Sequence, residues 1–355
     1  MPGLKEILKQ VAVEHRRLTR DEARSALHSI LTADADAAAD LAIAGLLTAM
    51  ATRGETVDEL TGFAEAMRAL SVPVPLTDEE RAALVDTCGT GGDGQGTFNI
   101  STGAALVAAA AGAKVAKHGN RGVTSRCGSA DVLEAMGVPV ALTPEQSAAC
   151  LRATGFTFLY APALHPAMKR VQPIRRALGF RTVFNLAGPL TNPAGAPAQI
   201  MGVYSAEKLE VVAGAMAQLG VRFGRVMHAR NGIDELALSA TDTIVVHGPS
   251  DCATGYTHAQ PVDPENAGLA HASLGHLAGG DTSDANAGIL EAVLTGVERG
   301  PKRDVVLLNA AAALEAAGLA ADLRDGVARS AEAIDSGAAR NLVRALREFG
   351  RSVAS

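Results

Sequence analysis

The chain has 355 residues, 48% of them hydrophobic, with a mean hydropathy of +0.15, which excludes a disordered chain and calls for a sizeable core in one large domain or a large one with a smaller companion. Lys and Arg number 32 against 38 Asp and Glu, so the net charge is −6 and the pI near 5.9; this argues against a dedicated nucleic-acid or membrane-surface binder and leaves room for a local basic pocket. No apolar run reaches the roughly 18 residues of a membrane span, the charged N-terminus does not read as a signal peptide, and Cys88, Cys127, Cys150 and Cys252 lack zinc-type spacing, so a cytoplasmic setting without disulfides is expected.

Residues 1–72 read as helices only. Leu4, Ile7, Leu8 and Val11 keep helical spacing, Thr19-Arg20-Asp21-Glu22 is a capping start for a second helix, and residues 36–52 and 57–70 make two more. Ser71-Val72-Pro73-Val74-Pro75 breaks the pattern and marks the crossing into a second unit, 73–355. There strands and helices alternate, which implies α/β architecture with a mainly parallel central sheet. Strands are expected at 82–85, 114–117, 138–141, 156–159, 199–203 and 225–228, with strand and hairpin signals after Thr243. Helices are expected at 103–112, from Ala130, from Thr143, at 206–219, 284–297 and 304–316, with a last one ending near Phe349. Between 165 and 185 a helical, basic segment carries Lys169, Arg170, Arg175, Arg176 and Arg181; Arg170 and Arg176 read as a solvated face, and Arg175, after Pro173, as the arginine that points inward.

Residues 86–131 organise the rest. Ten of the 37 glycines fall in this stretch, beside Thr90, Asp93, Thr97, Asn99, Ser101, Thr102, Lys117, His118, Asn120, Arg121, Thr124 and Ser125. Glycines let backbone N–H groups close on an anion, and a following helix N-terminus reinforces the site. A strand leads into Gly89-Thr90-Gly91-Gly92-Asp93, and Thr97, Asn99, Ser101 and Thr102 then suit the cap of a helix. The next strand leads into the loop 118–129. Two such units in tandem put both loops at the carboxyl ends of neighbouring strands, the edge where open α/β sheets bind ligands. Cys88 and Cys127 lie in these loops without an evident base and read as small packing residues. The loop 228–235 also follows a strand and ends in Asp234-Glu235, adjacent hard-oxygen carboxylates suited to Mg²⁺.

There is no Walker A sequence, no GxGxxG with an acidic partner and no Ser-His-Asp order. Anion loops, the cations Lys117 and Arg121 and a carboxylate pair suit a sugar diphosphate whose diphosphate departs from C1, with catalysis by positioning and charge stabilisation and no covalent nucleophile.

Gly89-Thr90-Gly91-Gly92-Asp93, Thr97-Phe98-Asn99-Ile100-Ser101-Thr102, Lys117-His118-Gly119-Asn120-Arg121, Gly128-Ser129-Ala130-Asp131, His165-Pro166-Ala167-Met168-Lys169, Arg181-Thr182-Val183-Phe184-Asn185 and Asp304 to Asn309 resemble the anthranilate phosphoribosyltransferases over nearly the whole chain. The resemblance implies a small helical domain (1–72, with the returning segment near 165–185) beside a larger α/β domain of the phosphoribosyltransferase and nucleoside phosphorylase kind, and a homodimer through the helical part. It implies transfer of phosphoribose from phosphoribosyl pyrophosphate to the amine of anthranilate in tryptophan biosynthesis. Phosphoribosyl pyrophosphate would be held by Gly89, Gly92, Asp93, Thr97, Asn99, Ile100, Ser101, Thr102, Lys117, His118, Gly119, Asn120, Arg121, Gly122, Val123, Thr124, Ser125 and Ser129. Anthranilate would meet Gly89, Asn120 and Arg175, with His118, Ala161, Pro162 and His165 lining its entry, and Ser101, Asp234 and Glu235 would serve two Mg²⁺. In the last loop Asn231 stands where the family commonly has Asp, and Arg230 adds a charge. Competing readings are a pyrimidine nucleoside phosphorylase-like enzyme, which would lack the KHGNR loop and the metal pair, and a non-catalytic nucleic-acid-binding relative, which the net charge of −6 disfavours.

Overall fold

A computed structural model describes residues 3–34, 36–122, 126–248, 255–258 and 261–354. Four helices come first: α1 (Leu4–Ala12), α2 (Arg20–Thr32), α3 (Ala37–Arg53) and α4 (Val57–Ala69). Thr19 with Glu22 and Thr56 with Glu59 close reciprocal capping boxes at α2 and α4, which satisfies N–H groups that have no partner inside the helix. Leu27, Ile30, Leu46, Met50, Leu60 and Phe63 form their buried seam.

The α/β part runs α5 (Asp78–Ala82), β1 (Leu84–Gly89), α6 (Ile100–Ala110), β2 (Lys114–Gly119), α7 (Ser129–Ala135), α8 (Pro144–Thr154), β3 (Phe156–Tyr160), α9 (Ala161–Leu164), α10 (Gln172–Leu178), α11 (Val183–Ala187), β4 (Ala198–Gly202), α12 (Leu209–Gln218), β5 (Phe223–Ala229), β6 (Thr241–His247), β7 (Tyr256–His258), α13 (Ser283–Leu294), α14 (Pro301–Ala316), α15 (Leu323–Asp335) and α16 (Ala338–Ala354). The sheet order is β3-β2-β1-β4-β5-β6-β7, parallel through β5 and antiparallel at β6 and β7. The chain builds outward from β1 to β3, then returns to the other side of β1 for β4, so strand order reverses at β1/β4. Ligands bind at such a reversal, beyond the carboxyl ends of the strands.

Pairing across the centre is uneven. β1 follows β4 from Val85↔Ala198 to Gly89↔Gly202, and β2 follows β3 from Val115↔Phe156 to Gly119↔Tyr160. β1 and β2 share only Leu84↔Lys114 and Val85↔Val115. Beyond that point the ladder stops although the two strands stay neighbours, and side chains bridge them on the way to the two glycine-rich loops. One face of the sheet is covered by α6 and α14, each buried nearly all round, as expected of central helices. The helical seam continues onto the other face through Val171, Ile174, Phe184, Met201, Val212 and Val226. No helix among the described residues is long and apolar enough to cross a membrane.

Several expectations are corrected. The strand expected at 82–85 begins at Leu84, because a Thr77–Glu80 capping box draws Asp78–Ala82 into a helix. Residues 138–141 form no strand: Pro139 has no N–H to donate, and Val138, Val140 and Leu142 bury their side chains without a ladder partner. The helix expected at 206–219 starts as a 3₁₀ turn, Ala206–Lys208, and that expected at 284–297 stops at Leu294 before the left-handed Gly296. Arg170 is not on a solvated face; its side chain is 10% exposed and pairs with Asp40 at 2.6 Å. Arg176 is exposed as expected.

Glu59 anchors the helical part. Its side chain is fully buried and accepts from Leu18 N (2.9 Å), Thr56 N (3.1 Å) and Arg53 (2.5 Å). Burial alone would raise its carboxyl, but Arg53 and the two N–H groups outweigh burial and hold it below the ordinary value. A group lowered on folding stabilises fully above its unfolded pKa and loses that contribution as pH falls through its folded value. Glu59→Gln is therefore expected to lower unfolding free energy by about 3 kcal/mol at neutral pH in urea titrations, with the gap narrowing below about pH 4.3.

Candidate active site

The turn after β1 is latched to the end of β4: Thr90 N donates to Gly202 O (2.9 Å), and Thr90 Oγ1 accepts from Tyr204 N (3.0 Å). Gly91 and Gly92 follow at φ +65° and +72°, where a side chain would be strained. Asp234 reaches this turn from the loop after β5, and its Oδ2 accepts from Gly91 N at 2.8 Å. The approach is possible only because two strands end in glycine. A Cβ on Gly89 would lie 2.4 Å from Asp234 Oδ2, and one on Gly202 would lie 1.5 Å from the Asp234 carbonyl oxygen. Glu235 Oε1 accepts from Ser101 N in the first turn of α6 (3.2 Å). Asn309 on α14 fixes the loop from behind, with Nδ2 donating to Leu236 O (2.8 Å) and Oδ1 accepting from Leu236 N (3.0 Å).

Asp234 and Glu235 are both buried. Burial raises both carboxyls, and Asp93 beside Asp234 and Asp234 beside Glu235 raise them further. Lys117 is the cation that opposes this charge; burial lowers its own ammonium, and its Nζ donates to Thr87 O and to Ser101 Oγ (3.4 Å). Two desolvated carboxylates, a third nearby and one hydroxyl make a hard-oxygen donor set short of positive charge, and Mg²⁺ fits that set. Arg230 does not fill the shortfall, since its guanidinium lies on Asp242 (3.0 Å); Asn231 Oδ1 accepts from Ile233 N (3.4 Å).

The second loop leaves β2. His118 N donates to Asp86 Oδ1 (3.1 Å), and the His118 ring lies 5.1 Å, centroid to centroid, from that of His165, which follows α9. Asn120 O accepts from Ser129 Oγ and Ala130 N, each at 3.2 Å, so Ser129 closes the loop on itself. Gly119 lies against Ser129, where a Cβ would come within 2.4 Å of the hydroxyl oxygen. Gly122 N donates to Asp131 (2.8 Å), and Arg121 is held outside by Asp131 (3.0 Å) and Glu134 (2.7 Å). Val123, Thr124 and Ser125 lie outside the described residues. Thr97 bridges Ala278, Asn99 donates to Cys127 O (3.1 Å) instead of capping α6, and the side chains of Ile100 and Thr102 are buried in the core. Ala161 and Pro162 open α9 directly after Tyr160, the partner of Gly119, with Pro162 exposed. The Arg175 guanidinium stacks on Phe184 at 5.1 Å and, among the described residues, makes no hydrogen bond or ion pair; burial lowers it.

The fold thus gathers Gly89, Gly91, Asp93, Ser101, Lys117, Asp234 and Glu235 in one cluster and His118 with His165 in a second. Cys88 is a buried thiol raised by burial, with Gln199 Nε2 at 3.2 Å, as suits a packing residue. Sequence reasoning missed Asp86, Asn192, Gln199 and Asn309. For three of them the signal is a polar residue within an apolar run of a strand or helix, Asp86 in Leu84–Gly89, Gln199 in Ala198–Gly202 and Asn309 in Pro301–Ala316; Asn192 lies between elements and carries no such signal.

The helical bundle domain of the glycosyl transferase family matches residues 5–71, and the family's a/b domain matches 81–340. The chain is 49% identical to the anthranilate phosphoribosyltransferase of Symbiobacterium thermophilum over 98% of its own length and 97% of the relative's. The crystal structure of the enzyme of that name from Thermus thermophilus is similar with a TM-score of 0.88 at 42% identity, covering 97% of this chain and 99% of that one. The Saccharomyces cerevisiae enzyme in complex with PRPP and Mg is similar with a TM-score of 0.85 at 28% identity, covering 98% of each chain; it has also been solved in complex with 4-fluoroanthranilate.

Burial is the main cause that pushes His118 down to about 3 and His165 down to about 4. Both imidazoles are neutral in the fold, whereas unfolded histidine takes up a proton near pH 6.5. The unfolded chain therefore binds more protons below that pH, and stability falls as pH drops by about 1.4 kcal/mol per pH unit per histidine. Urea unfolding between about pH 6.5 and 4.5 is expected to show this slope, and His165→Phe to remove roughly half of the histidine share.

Proposed function

The chain belongs to the glycosyl transferase family of the anthranilate phosphoribosyltransferases, and we propose that it transfers the phosphoribosyl group of phosphoribosyl pyrophosphate to the amine of anthranilate, releasing pyrophosphate, in tryptophan biosynthesis. The observation that carries this reading is the buried Asp234–Glu235 pair held against the glycine turn at the β1/β4 reversal, a charge-deficient donor set beside an anion cradle. Ser101, Asp234 and Glu235 would hold two Mg²⁺ per subunit. Bound there, Mg²⁺ would neutralise the charge that gathers on the departing pyrophosphate.

The chain's own residues do the remainder. Gly89, Gly92, Asp93, Thr97 and the Asn99–Thr102 segment would line the diphosphate, and the loop from Lys117 to Ser125 with Ser129 would surround the ribose phosphate. Gly89, Asn120 and Arg175 receive anthranilate. An arginine without a carboxylate partner suits the planar carboxylate of that substrate, and Phe184 fixes its plane. Neutral His118 and His165, with Ala161 and Pro162, line the entry with little charge, so an aromatic amine reaches the ribose C1 as the free base. Rate acceleration then comes from holding two substrates in line and from stabilising the leaving group.

The protein is expected to act in the cytoplasm as a homodimer through the helical domain, residues 1–72 with the returning segment near 165–185. Exposed Leu41 on α3 and Val13 after α1 support an apolar contact on that side.

Loss of anthranilate fluorescence with phosphoribosyl pyrophosphate and Mg²⁺, abolished by EDTA, is the expected result; folded protein that leaves fluorescence unchanged would sink the assignment. Asp234→Asn with Glu235→Gln is expected to lower kcat/KM at least about a thousandfold, and near-normal turnover would remove the pair from the mechanism. Arg175→Ala is expected to raise KM for anthranilate about thirtyfold with a smaller change for phosphoribosyl pyrophosphate, the size of one charge-assisted contact; equal changes in both constants would count against the carboxylate role.

A further inference from the structure

Beyond Val85↔Val115 the β1/β2 ladder stops, and buried side chains bond β2 on that side. Ala116 O accepts from Asn192 Nδ2 (2.8 Å), and His118 N donates to Asp86 Oδ1 (3.1 Å). In the other direction, Thr87 O on β1 accepts from Lys117 Nζ. Asp86 is fully buried; Gln199 Nε2 lies 3.5 Å from its Oδ2, and Asn192 also bonds it. We propose that Asp86 is a positioning residue for the substrate loop: its carboxylate replaces, at His118 N–H, the carbonyl that a continued β1 would supply, and so fixes the backbone carrying His118, Gly119 and Asn120 across the cleft.

Three features favour this over a buried acid with a purely packing role. An apolar residue at 86 would suit a strand interior, and an ionised carboxylate is tolerated in a core only when fully bonded. The bonds Asp86 receives come from the strands on both sides of β1, since Gln199 belongs to β4 and His118 to β2, so it ties the two halves of the sheet together where the β1/β2 ladder stops. The opposing charge, Lys117, sits one residue before His118 and grips β1 in return, so loop and strand are cross-linked in both directions. The acceptor strength of a carboxylate exceeds that of an amide or a backbone carbonyl, which suits a single bond that must replace a ladder.

The inference rests on the proposed transferase activity, and the test separates the two. Asp86→Leu keeps apolar volume in the core and removes the acceptor; Asp86→Asn keeps an acceptor oxygen at nearly the same place. With folded variants, kcat/KM for anthranilate is expected to fall about thirtyfold or more in Asp86→Leu, the size of one hydrogen bond to a charged group. Amide hydrogen exchange at His118 is expected to accelerate in step, while Asp86→Asn stays within about fivefold of the wild type in both readouts. Equal loss in both variants, or Asp86→Leu with normal turnover and normal protection at His118, would overturn the role. If Asp86→Leu does not fold, Asp86→Asn decides: protected His118 with retained turnover upholds it, and lost protection with unchanged turnover refutes it. A wild type that does not consume anthranilate would instead remove the transferase reading itself.

Discussion

Two like charges held side by side out of water set the terms for the rest of this molecule. Asp234 and Glu235 are buried, repel one another, and are opposed by one ammonium that is itself desolvated. Such a pair persists only where backbone N–H groups and a cation can reach it. Gly91 N and Ser101 N meet that need, and both come from the unit β1–turn–α6. The glycines at 89 and 202 follow from the same requirement, because any side chain there would occupy the space of Asp234. The chemistry of the site and the strand-end glycines are thus one constraint seen from two sides.

The sheet supplies the second condition. Strand order reverses at β1/β4, so a loop that follows β5 can cross back over β1 and bring its carboxylates to a turn far away in sequence. The β1/β2 ladder also stops after two register pairs, and Asp86, Lys117 and Asn192 bond the facing strand edges there instead of ladder bonds. These side-chain bonds hold the root of each glycine-rich loop in place.

The helical part is bound to this arrangement through its seam with the sheet. Phe184 lies 6.1 Å from Phe63 of α4 and carries the Arg175 guanidinium on its ring. His165 meets backbone groups of Met67 and Thr191 and faces His118. The returning segment between β3 and β4 therefore links the helical bundle to the far side of the cleft, and a change in helix packing would be felt at His165 and Arg175.

Local composition was enough to read the four-helix start, the alternation of strands and helices, the two anion loops and the Asp-Glu pair, because periodicity, capping boxes and glycine density act over a few residues. Local signals failed where a long-range partner decides. Residues 138–141 alternate in burial as a strand would, yet Pro139 and the lack of a neighbour leave them unpaired. Arg170 looks like any basic helix residue until Asp40 meets it, Arg121 turns to Asp131 and Glu134 of α7, and Asn99 turns to the Cys127 carbonyl of the second loop. Asp86, Asn192 and Gln199 carried no motif, since they complete hydrogen bonds of segments distant in the chain, and Asn309, within the resembling stretch 304–309, carried no sign that it fixes the loop after β5. Sequence by itself determined the element types, the phosphate-suited loops and the metal-suited pair. Only the tertiary structure decided where the β1/β2 ladder stops, which carboxylates share a desolvated site and which arginines meet an acid, because burial and charge pairing depend on neighbours that chain order does not name.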